Sequence, residues 1–182
     1  MSTYSDKELL EMFRSPDSRN YAFNLIVRKY QERLYWHVRK IVINHDDSDD
    51  VIQNTFLKVW GGLETFREDS QLFTWLYRIA TNEALTFLKR KRTKYFLPLV
   101  DVEQQLSRSL ESDPYFNGDE LQLRLQKAIL TLPEKQRLVF NMKYFEEMKY
   151  EEMSEVLGTS VGALKASYHH AVKKIEKFME ED

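Results

Sequence analysis

Gly158 is the residue that most constrains what this chain can become. It stands between two short amphipathic runs in the segment Lys149 to Ile175, KYEEMSEVLGTSVGALKASYHHAVKKI. Before it, Met153, Val156 and Leu157 recur at core-facing helical spacing behind Glu151 and Glu152, whose charges favour the positive start of a helix. After it, Ser160 is placed to cap a second helix, accepting from backbone N–H groups two or three residues on. Val161, Leu164, Tyr168, Ala171 and Ile175 then form one inward stripe. A glycine between the runs takes positive φ without a Cβ penalty and reverses the chain. The pattern predicts a helix-turn-helix. Its outward face would carry Gly162, Ala163, Lys165, Ala166, His169, His170 and Lys173. Small residues permit close approach to base edges, and lysines meet phosphates. The competing reading is a plain helical hairpin inside a bundle.

The rest of the chain is predicted to be helical too. Phe23, Ile26, Tyr30, Leu34, Val38 and Ile41 recur every three or four positions between Tyr21 and Val42, which predicts one long amphipathic helix. Ser48 is placed to cap the next, with Asp49 and Asp50 in its first turn, Ile52, Phe56, Val59, Trp60 and Leu63 along it, and Gly61-Gly62 to end it. A third is expected from about Ser70 to Arg92, after a polar loop, Glu64 to Asp69, that carries Phe66. Beyond Thr93 the pattern fails. Pro98, Pro114, Gly118 and scattered acids give that stretch the character of an acidic linker, with room for brief helical turns. Leu121, Leu125, Ala128, Ile129 and Leu132 resume the helical period, Pro133 starts the next helix, and Leu138, Val139, Met142 and Phe145 face its core. The fold class is therefore all-α, two small helical domains joined by a linker, with boundaries at 1–93, 94–118 and 119–182.

Composition narrows the functions. At 182 residues the chain accommodates two domains of under about 100 residues each. It has no cysteine, which excludes disulfides and zinc-thiolate sites and is compatible with a reducing cytoplasm. No apolar run approaches a membrane span, and the polar N-terminus lacks a signal peptide's apolar core, so a cytoplasmic protein without membrane insertion is expected. The net charge of −2 is unexpected for a protein binding DNA on its own. Charge placement says more than the sum. Lys89, Arg90, Lys91 and Arg92 form a basic run, and Asp46, Asp47, Asp49 and Asp50 an acidic one, which points to one anionic and one cationic partner. His45 with the aspartates fits no metal-ligand spacing, and neither a metal nor a cofactor is expected. There is no phosphate-cradling glycine loop, nucleophile signature or paired-carboxylate constellation, so the chain is not expected to be an enzyme.

Three ordered segments resemble the extracytoplasmic-function group of bacterial sigma factors, small members of the sigma-70 family. DDVIQNTFLKVW, Asp49 to Trp60, resembles the helix that grips the polymerase core; FREDSQLFTWLYRIATNEAL, Phe66 to Leu85, the part that melts and reads the −10 promoter element; and LPEKQRLVFNMKYFEEMKYEEMSEVLGTSVGALK, Leu132 to Lys165, the domain that reads the −35 element. The resemblance implies that Asp49, Asp50, Gln53, Asn54 and Leu57 meet core RNA polymerase, through its β′ subunit, with β also in contact. It implies that Phe66, Arg67, Ser70, Trp75, Arg78 and Asn82 hold melted −10 DNA. Base capture costs a few kcal/mol of unstacking, which an aromatic loop with edge hydrogen bonds can offset. Lys89, Arg90, Lys91 and Arg92 would add phosphate contacts; the ordinary alternative for a basic helix end is complementation of the helix dipole. Ser160, Gly162, Lys165, Ala166, His169, His170 and Lys173 would read −35 duplex DNA.

The chain departs from the usual pattern in this last helix. Arginine often stands beside or after the matching lysine; here Ala166-Ser167 and His169-His170 follow it, one histidine expected to be partly buried. Fewer arginines mean fewer bidentate guanine contacts, so a −35 sequence does not transfer from better-known members. Members of the group are commonly held by a membrane-linked anti-sigma factor that covers the polymerase-binding surfaces, which makes such a partner expected. Two other classes stay open on the sequence. A free-standing helix-turn-helix regulator would use the second domain alone, and a helical polymerase-binding adaptor would need neither a −10 pocket nor a basic helix end.

Overall fold

A computed structural model describes residues 4–94, 99–113 and 118–181, and among them the regular structure is entirely helical. The first helix, α1 (Asp6–Arg14), is opened by a capping box in which Ser5 Oγ accepts from the Glu8 N–H and the Glu8 carboxylate accepts from the Ser5 N–H. It buries Leu9, Leu10 and Phe13. Its 9 residues fall before the first periodic run and were not legible there.

The next three helices make the first half. α2 (Arg19–Val42) buries Ile26, Leu34 and Val38 completely, and ends at Ile43, a non-glycine residue held at φ 68. α3 (His45–Leu63) begins four residues earlier than Ser48 predicts. Asn44 is its cap, accepting from the Asp47 N–H at 3.0 Å, while Ser48 is buried and donates its hydroxyl proton to the Asn44 carbonyl at 2.6 Å. A side chain that can bond backward within the first turn is indistinguishable, in sequence, from a cap. Gly61 and Gly62 lie inside α3 rather than beyond it. Gly62 serves packing, since a Cβ there would stand 2.9 Å from the Trp75 ring. α4 (Leu72–Lys94) crosses α2 and α3, with Leu76, Tyr77, Ala80 and Ala84 fully buried.

The stretch expected to be a linker contains α5 (Leu99–Glu111), whose Leu106 and Leu110 are buried in the same core as α1 to α4. The flanking prolines, Pro98 and Pro114, lie outside the described residues. Leu106 and Leu110 are one helical turn apart, a signal too short to stand out between breakers. The second half follows: α6 (Glu120–Leu130), capped by Asp119; α7 (Glu134–Tyr144), with Pro133 as its N-cap; α8 (Tyr150–Leu157); and α9 (Val161–Glu180). Ala128, Ile129, Leu132, Phe140, Ala171 and Ile175 form a local core between α6, α7 and α9.

The two halves are docked. Leu138, Val139, Met142, Met148, Met153, Val156 and Leu164 are continuous with the core of the first half. At the seam, Glu146 enters from the turn after α7 with its side chain 6% exposed. Its Oε1 is 2.7 Å from His37 Nδ1 and 3.9 Å from Lys40 Nζ. His37 Nε2 is 2.7 Å from Thr81 Oγ1, whose own proton goes to the Tyr77 carbonyl. Glu146, His37 and Thr81 thus form one continuous chain of polar contacts across the seam.

Burial pushes the Glu146 carboxyl up, but the charges of His37 and Lys40 and the hydrogen bond from His37 outweigh it and hold the group below its ordinary 4.5. A lowered carboxyl contributes stability above the unfolded value and loses it as pH falls through the folded one. Thermal denaturation followed by circular dichroism is thus expected to show Glu146→Gln less stable than the wild type at pH 7. Its deficit should shrink as pH falls below 4.5; a constant deficit across that range would exclude the charge as its source.

Candidate nucleic-acid and polymerase interface

The hairpin of α8 and α9 is built as its residues require. Glu151 and Glu152 occupy the first turn of α8, Gly158 closes it at φ 64 and ψ 30, and Ser160 Oγ accepts from the Ala163 N–H at 3.3 Å. Leu164, Ala171 and Ile175 are buried, with Val161 and Tyr168 half-buried beside them. Gly162, Ala163, Lys165, Ala166, His169, His170 and Lys173 are all exposed. The spacing of 162, 165, 166, 169 and 173 puts them on one face. Neither histidine is buried; their ring centroids stand 6.0 Å apart. Lys165 Nζ lies 5.7 Å from the centroid of the Tyr150 ring, so α8 helps hold it.

On α3, Asp50, Gln53, Asn54 and Leu57 are exposed and follow the i, i+3, i+4, i+7 spacing of a single face. Leu57 is 70% exposed, a large apolar side chain left facing solvent. Asp49 is half-exposed, 3.4 Å from His45 Nε2. Trp60, one turn on, is 38% exposed and leans edge-on against Phe13 and Phe23 at 5.4 and 5.0 Å, which fixes the helix from behind.

The loop before α4 differs from a simple open aromatic loop. Phe66 is buried, with its ring 4.8 Å from that of half-buried Trp75, so its face is already covered. Arg67 is exposed and Ser70 half-buried. Beside them an open cleft of about 490 Å³ is lined by Leu10, Phe66, Asp69, Ser70 and Glu155, among others. Asn82 is exposed on α4, 10 residues beyond Leu72 and about 15 Å along its axis, and is not among the residues lining this cleft.

The cations on α4 are partly committed. Lys89 and Arg90 are exposed and Arg92 half-buried, whereas Lys91 Nζ is 2.5 Å from Asp47 Oδ2. The acidic run thus meets the basic run inside the molecule. Arg78 donates from Nε at 3.0 Å and from Nη2 at 2.7 Å to the Glu155 carbonyl. That carbonyl is in the last turn of α8, where no intrahelical donor remains, so Arg78 caps the helix. Sequence reasoning missed His37, Glu146 and Glu155. Only His37 left a trace: it falls at core spacing between Leu34, Val38 and Ile41, an ionisable group where an apolar one is expected.

A two-part helical protein with an outward-reading helix-turn-helix and a separate exposed acidic-apolar helix face belongs to the class of multi-domain transcription proteins. Comparison makes the class specific. The model of Sigma-70 region 2 matches residues 26–94, and that of Sigma-70 region 4 matches residues 122–175. The RNA polymerase sigma-H factor of Pseudomonas aeruginosa is 30% identical over 96% of this chain and 94% of its own length. The ECF RNA polymerase sigma factor SigW of Bacillus subtilis is 28% identical over 86% of this chain and 88% of its own length. The sigma factor RpoE of Bartonella quintana, solved with the anti-sigma factor NepR, shares the fold at a TM-score of 0.67, with 20% identity over 88% of this chain and 98% of that one. The chain belongs to the extracytoplasmic-function sigma factors of the sigma-70 family. It directs promoter-specific transcription initiation with RNA polymerase, and nothing in these matches favours the regulator or adaptor alternatives.

The turn offers a direct check on the hairpin. A Cβ at Gly158 would meet nothing within 4 Å, so Gly158→Ala acts through the backbone alone. A positive φ costs an L-residue roughly 1 to 2 kcal/mol, which in a chain of this size lowers the melting temperature by about 2 to 8 °C. Calorimetry measures it, and an unchanged melting temperature would show that the turn does not need its left-handed geometry.

Proposed function

We propose that this sigma factor assigns its three tasks to three surfaces. The α3 face of Asp49, Asp50, Gln53, Asn54 and Leu57 grips core polymerase through the β′ subunit, while the second half meets β. The loop and α4 residues Phe66, Arg67, Ser70, Trp75, Arg78 and Asn82 hold melted −10 DNA, with Lys89, Arg90, Lys91 and Arg92 on its phosphates. Ser160, Gly162, Lys165, Ala166, His169, His170 and Lys173 read the −35 duplex. Ser160 acts there as the cap that positions the first turn of α9. The observation that carries this reading is α9 itself, a buried ridge backing a continuous exposed face that is small at its start and basic further on.

Domain limits at 1–93, 94–118 and 119–182 follow from the same division of labour, with α5 riding on the connecting segment. The chain works in the cytoplasm and performs no chemistry; phosphodiester formation belongs to the polymerase. Among the described residues no helix is long and apolar enough to cross a membrane. An anti-sigma factor is a further partner, as NepR is for the sigma factor of the solved complex.

Three measurements test these assignments. Run-off transcription with purified core polymerase, on promoters found by transcript sequencing after overexpression, should initiate only when this chain is added. Leu57→Asp leaves the core intact, and is expected to weaken core-polymerase binding at least about tenfold, the loss of an interface anchor. Lys165→Ala should weaken −35 binding across sequences and reduce the salt slope of log K by about 1 if Lys165 contacts phosphate; an unchanged slope would remove it from that role.

The low net charge has a place in this scheme. Weak intrinsic affinity keeps the free protein off promoters and makes recognition conditional on polymerase, which presents both reading surfaces together. Lys91 and Arg78, already occupied within the molecule, deepen that deficit. A gel shift with the isolated protein should show no tight, specific duplex binding.

A further inference from the structure

Gly62 lies inside α3, where a helix ordinarily carries a side chain and glycine weakens it relative to alanine. The space it leaves free is occupied. A Cβ at residue 62 would stand 2.9 Å from Cζ2 and 3.1 Å from Cη2 of Trp75, inside the roughly 3.5 Å at which carbon atoms pack. The edge of the indole therefore rests on the α3 backbone. Gly61, one position earlier in the same helix, gives the comparison: a Cβ there would meet nothing within 4 Å. Neither glycine takes positive φ, so what position 62 requires is the missing side chain and not a special backbone conformation.

The same residue locates the other ring of the aromatic pair. The Gly62 carbonyl accepts from the Thr65 N–H and from the Thr65 hydroxyl, each at 3.2 Å, and the Leu63 carbonyl accepts from the Phe66 N–H at 3.3 Å. These bonds wind the end of α3 into the loop and fix where Phe66 leaves it. Phe66, buried and lining the open cleft, then meets half-buried Trp75 with ring centroids 4.8 Å apart and planes 35° from parallel. Trp75 itself is tied into the start of α4, its N–H donating to the Gln71 carbonyl at 3.1 Å. The indole thus has Phe66 against its ring and α3 against its edge. A ring pushed off Gly62 changes its pairing with Phe66.

We propose that Gly62 is a positioning residue for promoter opening: its missing side chain seats the indole of Trp75 against α3, and its carbonyl anchors the turn that delivers Phe66, so both rings are held in one arrangement for the melted −10 strand. The functional part rests on the assignment of Phe66 and Trp75 to melted −10 DNA; the seating of the ring does not. Stacking depends on the separation and tilt of the rings, and it is what offsets the cost of unstacking a base. A displaced indole offers the strand the wrong surface and offsets less. Position 62 touches no base in this scheme and acts only through its two neighbours.

Gly62→Ala, Gly61→Ala, Trp75→Phe and the double variant Gly62→Ala with Trp75→Phe test this in the full chain, assembled with saturating core polymerase on a promoter found by transcript sequencing. Open-complex formation, read by permanganate reactivity of unpaired thymines, is expected to slow about tenfold in Gly62→Ala and to stay within about twofold of the wild type in Gly61→Ala. Core-polymerase binding and helicity should be retained in both. Phenylalanine lacks the indole edge that the new Cβ meets, so Gly62→Ala should add no further loss in the Trp75→Phe background. The chain has three tryptophans, so fluorotryptophan labelling gives three fluorine resonances. Gly62→Ala should move the one that Trp75→Phe removes and leave that of Trp36 in place. Wild-type opening by Gly62→Ala, an equal loss in both backgrounds, or a matching fall in core binding would overturn the positioning role. Trp75→Ala and Phe66→Ala separate it from the assignment beneath it. If both open the promoter at the wild-type rate while the fluorine signal still moves in Gly62→Ala, the −10 assignment fails and the functional proposal falls with it. If both are impaired and Gly62→Ala is not, the assignment stands and the role of Gly62 is overturned.

Discussion

A carboxylate removed from water must find cations and hydrogen-bond donors, or it makes the state that buries it unstable. Glu146 meets that condition only where the two halves of the chain touch. Everything else at the seam follows from it. His37 must lie on the core stripe of α2 to reach the carboxylate, Thr81 must give its proton to the Tyr77 carbonyl to remain an acceptor, and α4 must cross α2 closely enough to bring both. Apolar contacts across the seam are tolerant of small shifts. The charged cluster is not, so it selects one docking geometry from the many that methionines and valines would permit.

The reading surfaces were more legible than the machinery behind them. On α9 the contrast between an apolar stripe and a small or basic face follows directly from helical period, and the structure leaves each outward residue exposed. Gly158 and Ser160 were equally legible, because φ and a cap are local demands. What escaped was long-range. His37 and Glu146 are 109 positions apart, and no periodicity links them. Arg78 looks like a free cation until α8 is seen to end beside it. Phe66 illustrates the same limit in reverse: its loop position promised exposure, and Trp75 took its face. The linker was misjudged in part because breakers on either side of α5 drowned the two leucines that bury it.

The charge pattern also acquires a different meaning in three dimensions. Acidic and basic runs in the first half looked like addresses for two separate partners. One bond between them, Asp47 to Lys91, joins the start of α3 to the end of α4 and so uses opposite charge to align the two helices. The exposed face of α3 and the basic end of α4 are therefore not mechanically independent. A partner that competes for the aspartate loosens the anchorage of the basic helix end.

Tyr168 shows how far such connections reach. It lies on the back of α9, stacks on Phe140 at 5.9 Å, and is the one half-buried aromatic of that helix shared between the local core of the second half and the core that crosses the seam. A phenol ring wedged between two packed regions works as a fulcrum. The pitch at which α9 presents its exposed face is then inherited from α7 behind it. Selection or engineering could retune how that face is presented by changing the support rather than the face itself.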